Sequence, residues 1–212
     1  MNAHKALMAA LTLGVMVVGV SAQDTIREII RAGGGGLSVV DSFEYAPSMA
    51  DLYRNCEAVV LGRVVDSRVH LTEDETEIWT EYRIEVSRVV SAREETDAPV
   101  PGSEILVGQP GGTMLIEGKP FVYEVDGMPT LYPGEKVFLF VAAVSAGAQA
   151  TSYRVPSGPE GMFRVRNGLV EPRGIRDKDH PSERYRGILE SEFEREILRT
   201  AEEAEEEKPP YE

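Results

Sequence analysis

The chain has 212 residues, a formal charge of −14 and 42% hydrophobic residues, enough apolar material for one domain to bury a core unaided. The acidic excess argues against a nucleic-acid partner and against an anionic membrane surface. Cys56 is the only cysteine, which excludes an intrachain disulfide framework.

The first residues read as an export signal. Lys5 is followed by an apolar or small run from Ala6 to Val20, and Val20-Ser21-Ala22 offers the small residues a signal peptidase reads. Residues 1–22 are therefore expected to be a signal peptide, with the mature chain starting at Gln23, exported and then soluble. An uncleaved anchor is the alternative, although the run is short for a spanning helix. Removing 1–22 takes away Lys5 and no acid, which leaves a charge of −15. Next, Asp24 to Ala32 predicts a short helix with Asp24 as N-cap and Ile26, Ile29 and Ile30 on one side. Gly33 to Gly36 reads as a flexible joint, so 23–36 form a helix and glycine linker. A phosphate-cradling loop would need a following Lys-Ser or Lys-Thr and a preceding strand, and neither is there.

Residues 37–180 read as a β-domain organised around one hairpin. Its first arm, Glu57 to Val65, is a β-branched run. Its second, Thr76 to Val90, alternates, with Ile78, Tyr82, Ile84 and Val86 on one face and Glu77, Trp79, Glu81, Arg83 and Glu85 on the other. A helical turn over Ser48 to Arg54 precedes it, and Glu73 to Glu77 form its polar tip. Glu104 to Val107 is a short strand stopped by Gly108-Gln109-Pro110-Gly111-Gly112. A smaller hairpin spans Met114 to Tyr123, and Lys136 to Val141 is the most apolar and hence central strand. Asn167-Gly168 between Met162 to Arg166 and Leu169-Val170 is a strong hairpin signal. Residues 181–212 form a C-terminal helix and acidic tail. There Ser191 and Glu194 read as a capping box, with docking expected through Leu189, Phe193 and Ile197. Roughly seven strands without alternating helices predict a mostly-β fold, an antiparallel and nearly closed barrel with a helix at each end.

The stretch Asn55-Cys56-Glu57-Ala58-Val59-Val60-Leu61-Gly62-Arg63-Val64 resembles the opening of netrin-like modules, the OB-fold barrels that include the tissue inhibitors of metalloproteinases. Tyr82 to Val90, the strand at Ile105 and Gly134-Glu135-Lys136-Val137-Phe138-Leu139-Phe140 continue the likeness. From Asp51 to Val170 the chain also looks like exported bacterial β-domains, some of which accompany secreted metalloproteases. The resemblance implies an OB-like barrel and a protein partner such as a secreted enzyme. The inhibitors of that family act through a disulfide-held cysteine at the mature amino terminus. Here that terminus is Gln23 and Cys56 has no partner, so only the fold carries over.

Chemistry-bearing motifs are sparse. Cys56 beside Glu57 fits a half-buried structural thiol better than a reactive one. His70 and His180 stand in separate segments without ligand spacing, so no metal or cofactor is expected. There is no Gly-x-Ser-x-Gly elbow, and the acidic hairpin tip lacks the alternation of a calcium loop. The reading is thus a non-enzymatic protein-binding module, with a structural envelope component as the alternative, or an enzyme with a cleft near Gly108 to Gly112. The candidate binding residues are Trp79, Glu77 and Glu81 on the polar face, with Gly111 and Gly112. Trp79 is either an interface anchor or covered by one of the two helices.

Overall fold

A computed structural model describes residues 25–40, 43, 46–93, 98–144, 152–174 and 180–206. The expected signal peptide, the start at Gln23 and the end of the acidic tail lie outside the described residues, and the N-cap expected at Asp24 falls instead on Thr25, whose hydroxyl accepts from Glu28 N. Ten strands and three helices follow in the order α1 (Ile26–Arg31), β1 (Gly36–Val39), α2 (Met49–Asn55), β2 (Ala58–Leu71), β3 (Ile78–Ala92), β4 (Glu104–Pro110), β5 (Gly112–Ile116), β6 (Lys119–Val125), β7 (Lys136–Val144), β8 (Ser152–Arg154), β9 (Met162–Arg166), β10 (Leu169–Pro172) and α3 (Glu190–Glu206). No helix among the described residues is long and apolar enough to cross a membrane.

The large sheet runs β10-β9-β7-β2-β3-β4-β8, and β8 also pairs with β7. Strands β2, β3, β4, β8 and β7 thus form a closed circuit. All its pairs are antiparallel except β4–β8, where Val107 faces Tyr153 in a parallel register. A second sheet, β1-β6-β5, mixes a parallel β1–β6 pair with the β5–β6 hairpin. The fold is therefore mostly β but not wholly antiparallel.

Burial explains why the sequence reads as it does. Strands β2 and β7 are covered on both sides, so they appear as unbroken apolar runs rather than alternating ones. Val60, Val64, Val137, Leu139 and Val141 cluster inside the strand circuit with Tyr82, Ile84 and Val107. Val59, Leu61, Phe138 and Phe140 point outward, beneath α2 and α3. A third cluster joins Ile26, Ile29 and Ile30 of α1 to Ile78 and to Phe121 and Tyr123 of the small sheet.

Local chemistry sets the ends of these elements. Thr25 caps α1 in a reciprocal box with Glu28. Of the four glycines after it, Gly33 and Gly35 have open space around them and the other two are closely packed. A Cβ on Gly34 would lie 2.6 Å from Ile29 Cγ2, and one on Gly36 would lie 2.9 Å from Val122 O, so Gly36 opens β1 against β6. Two turns, Glu117-Gly118 and Asn167-Gly168, place both residues at positive φ, as two-residue hairpins require. Helix α3 starts two residues earlier than the Ser191 box implies, because Leu189 bridges Leu169 and its carbonyl accepts from Glu192 and Phe193. Glu194 instead meets Arg88 at 2.6 Å. Phe193 and Ile197 dock the helix as expected, whereas Leu189 is exposed.

Candidate functional site

Trp79 is the second residue of β3, where alternation sends Ile78, Thr80 and Tyr82 inward and Trp79, Glu81 and Arg83 outward. Its indole Nε1 donates to Glu77 Oε2 at 2.8 Å, and the ring is half-buried. What shelters it is the neighbouring strand. A Cβ on Gly108 would come within 3.3 Å of ring atoms Cε3 and Cζ3, so the absence of a side chain at 108 gives the indole its seat. Neither helix covers it. Helix α1 packs on Ile78, on the opposite face, and α3 reaches β3 near its far end, at Arg88. Beside the ring opens a cavity of about 340 Å³, walled by Phe43, Trp79, Met128, Pro156 and Met162 with Gln109 and Arg154. Glu81 lies on the same strand face as Trp79, its carboxylate 3.9 Å from His70 Nδ1.

Gly111 and Gly112 lie apart from this face, where the chain leaves one sheet for the other. Strand β4 continues through Gly108 to Pro110, and β5 begins at Gly112, so the expected loop is reduced to Gly111. Pairing persists because Glu81 faces Gly108, Thr80 faces Gln109 and Trp79 faces Pro110. Gly111 donates to Ile78 O at 2.8 Å and accepts from Thr80 Oγ1 at 2.6 Å. At Gly112 φ is +149°, and a Cβ would sit 2.7 Å from Thr80 Oγ1 and 2.8 Å from Val69 Cγ1. These glycines serve close approach between layers. They also line a second cavity of about 340 Å³, with Ser67, Thr80, Tyr82, Thr113 and Glu124 among its walls.

Gln109 lines both cavities, and it is 5% exposed. Its Nε2 donates to Pro129 O at 2.8 Å and to Tyr82 Oη at 3.3 Å, and Leu131 N donates to the same phenol at 3.3 Å. Burial pushes the Tyr82 phenol above its ordinary pKa. Gln109 Oε1 is buried with no hydrogen-bond partner among the described residues. Since Pro129 O can only accept, the amide is held with nitrogen toward it, and the oxygen is left without a donor. Neither Gln109 nor Phe43 stood out in the sequence. The available signal for Gln109 was its inward parity with Ile105 and Val107.

No family model matches the chain, and no curated protein matches it either.

The remaining reactive side chains are held in local structure. Cys56 is 1% exposed, its Sγ donates to Tyr53 O at 3.5 Å, and burial pushes the thiol up to about 12 despite the opposing pull of Arg93. His180 Nδ1 accepts from Ser182 N at 3.2 Å, so Nε2 carries the hydrogen and donates to Glu160 Oε1 at 2.8 Å. Glu160 in turn accepts from Ala46 N at 2.6 Å, which ties three connecting segments together. At the hairpin tip, Asp74 accepts from Thr72 Oγ1 at 2.6 Å and from Thr76 N at 3.2 Å. These bonds hold its carboxyl below the usual range. Glu75, at φ +60°, pairs with Arg27 of α1 at 2.6 Å. Among the described residues no group of three or more His, Cys, Asp or Glu side chains could hold a metal ion. A cavity does adjoin Gly111 and Gly112, the place an enzymatic cleft would occupy. Of the residues lining it, the one carboxylate is Glu124, and none is a histidine.

Proposed function

We propose that this protein is an exported, non-enzymatic binding module, an OB-like barrel that takes a protein partner on the outer face of β3 and β4. Support for the barrel type comes from the strand circuit β2-β3-β4-β8-β7, in which the parallel neighbours β4 and β8 are the third and fifth strands in chain order. That order agrees with the one expected of an OB barrel. In such barrels the face of the second and third strands, with the adjoining loops, is the usual ligand surface. Here those strands are β3 and β4.

The observation that carries the reading is Trp79. An indole fixed by Glu77 and seated on a glycine loses little side-chain entropy on binding, and a rigid aromatic at a cavity rim is the typical composition of an interface anchor. A charge of −14 over the whole chain disfavours a nucleic-acid ligand for that face. The likeness to inhibitors of metalloproteases adds a secreted enzyme as the kind of partner, but not their mechanism, since the one thiol is buried.

The test compares the native protein with Trp79→Ala, both shown folded by circular dichroism, in cross-linked capture from the exported fraction followed by reconstitution with the purified partner. Capture by the native chain and its loss in the variant is the expected outcome. Equal capture by both would remove Trp79 from the interface. Capture by neither would favour a structural envelope role.

A further inference from the structure

The small sheet ends in an open edge. Strand β1 is its outermost member on one side, and the register with β6 shows which backbone groups are already bonded. The carbonyls of Gly35 and Val39 accept from Val122 N at 3.2 Å and Asp126 N at 2.9 Å, and Leu37 faces Tyr123. In a parallel ladder alternate residues bond to one neighbour, so Gly35, Leu37 and Val39 serve β6. Gly36 and Ser38 therefore turn N–H and C=O the other way, where no strand among the described residues lies. The fold covers another such edge: on β10, Val170 N donates to Ile188 O, and Val170 O accepts from Gly187 N. Composition does not guard β1 either. Charges and prolines are the usual devices against edge pairing, and residues 33–40 hold neither.

We propose that β1 pairs with β1 of a second copy of this chain, antiparallel about Ser38, so that the two small sheets become one. The register that uses the whole segment puts Ser38 opposite its own counterpart and Gly36 opposite Val40, each pair exchanging both backbone hydrogen bonds. Side chains fit that register. Val40 is 87% exposed and meets a residue without a side chain. Leu37 and Val39, half-buried against the α1 cluster, meet each other across the join in the non-hydrogen-bonded pairs, where side chains stand closest. Charge does not oppose the join. Glu124 registers with Ser38 on β6, so the two copies of Glu124 would stand three strand spacings apart, about 14 Å, beyond a screening length of about 8 Å. A foreign peptide would find the same backbone groups, but an uncharged edge has little with which to select its sequence, whereas the chain's own segment matches itself. Head-to-tail pairing of β1 with the opposite edge, β5, would not close and would build filaments. The inference stands apart from the Trp79 reading, since β1 belongs to the other sheet.

The experiment is sedimentation equilibrium of the purified protein from about 1 to 100 µM, the range suited to an interface at the weak, small end of protein contacts. The mass is expected to rise from one chain to two. Ser38→Lys and Ser38→Glu change the one position that faces itself, so each variant should stay at one chain mass. Mixed in equal amounts they should restore the two-chain mass, because opposite charges then meet across the join. A native protein of constant single mass overturns the proposal. So do dimers that persist in both variants, a mixture that stays single, and growth beyond two chains, which would mark head-to-tail pairing. Ser38 is exposed, so both variants are expected to fold, as circular dichroism would show. Should either not, residue-resolved hydrogen exchange on the native protein decides alone. Between the two ends of that concentration range the Gly36 and Ser38 amides should slow about tenfold by mass action, while Leu37 and Val39, already bonded to β6, change less. Equal slowing at all four, or slowing at none, overturns the proposal.

Discussion

At the scale of single residues, burial and close approach dominate. Burial moves the Cys56 thiol from its ordinary 9.0 up to about 12. A group whose pKa is raised by folding stabilises fully below its unfolded value, and that contribution disappears as pH rises through the folded value. The urea midpoint is therefore expected to fall from about pH 9 upward, with Tyr82 and Tyr185 pulling the same way at higher pH, since burial raises both phenols. Urea titrations at pH 8, 9 and 10 should show Cys56→Ala losing less stability across that window than the native chain. A parallel loss in both would refute the assignment. Gly112→Ala places a methyl against Thr80 and Val69 at positive φ and is expected to cost about 2 kcal/mol, read as a lower urea midpoint. Sequence reasoning reached Trp79, because alternation alone turns it away from the core. It did not reach Gln109, since the missing hydrogen bond depends on Pro129 and Tyr82, which are distant in sequence and contribute through a backbone carbonyl and a phenol.

Secondary-structure elements were legible wherever local chemistry and tertiary burial agree. The β3 alternation, the Asn167-Gly168 turn and the apolar run of β7 all coincide with their strands. Disagreements arise where a partner from elsewhere takes over. Leu189 bridges Leu169 and starts the helix at Glu190, and Arg88 takes Glu194, so the Ser191 box does not form. Pairing with β3 carries β4 through residues that, read locally, end a strand. The packing of α3 is concentrated in one ring. Phe193 is fully buried, with its centroid 5.1 Å from that of Phe138, 4.6 Å from Phe163 and 5.2 Å from Tyr185. Phe193→Ala should cost about 3–5 kcal/mol and release the helix, so that urea unfolding monitored by far-ultraviolet circular dichroism shows an early loss of helical signal. One unshifted cooperative transition would show that Ile197 and Ala201 hold the helix unaided.

For the whole molecule, the export reading makes a direct prediction. Thr25 caps α1, and Ile26 N donates to Glu75 O at 2.8 Å, so cleavage after Ala22 would leave two residues ahead of the cap of a docked helix. Intact-mass measurement of the native product should give a chain beginning at Gln23, and retention of Met1 would exclude processing there. Barrel closure has a temporal side as well. Only β8, three residues long, joins β4 to β7, and its Tyr153 must find Val107 in parallel register. Strands β2, β3 and β4 can zip together as neighbours, but the edge of β4 stays unpaired until the chain has been delivered past Arg154. A polypeptide threaded amino end first thus spends most of its emergence as an open sheet, the state in which such edges recruit other chains. The late, non-local latch is expected to slow folding relative to a chain of the same length with local pairings. On the export reading proposed above, protection of this protein would be needed during the interval before the latch arrives, rather than after it.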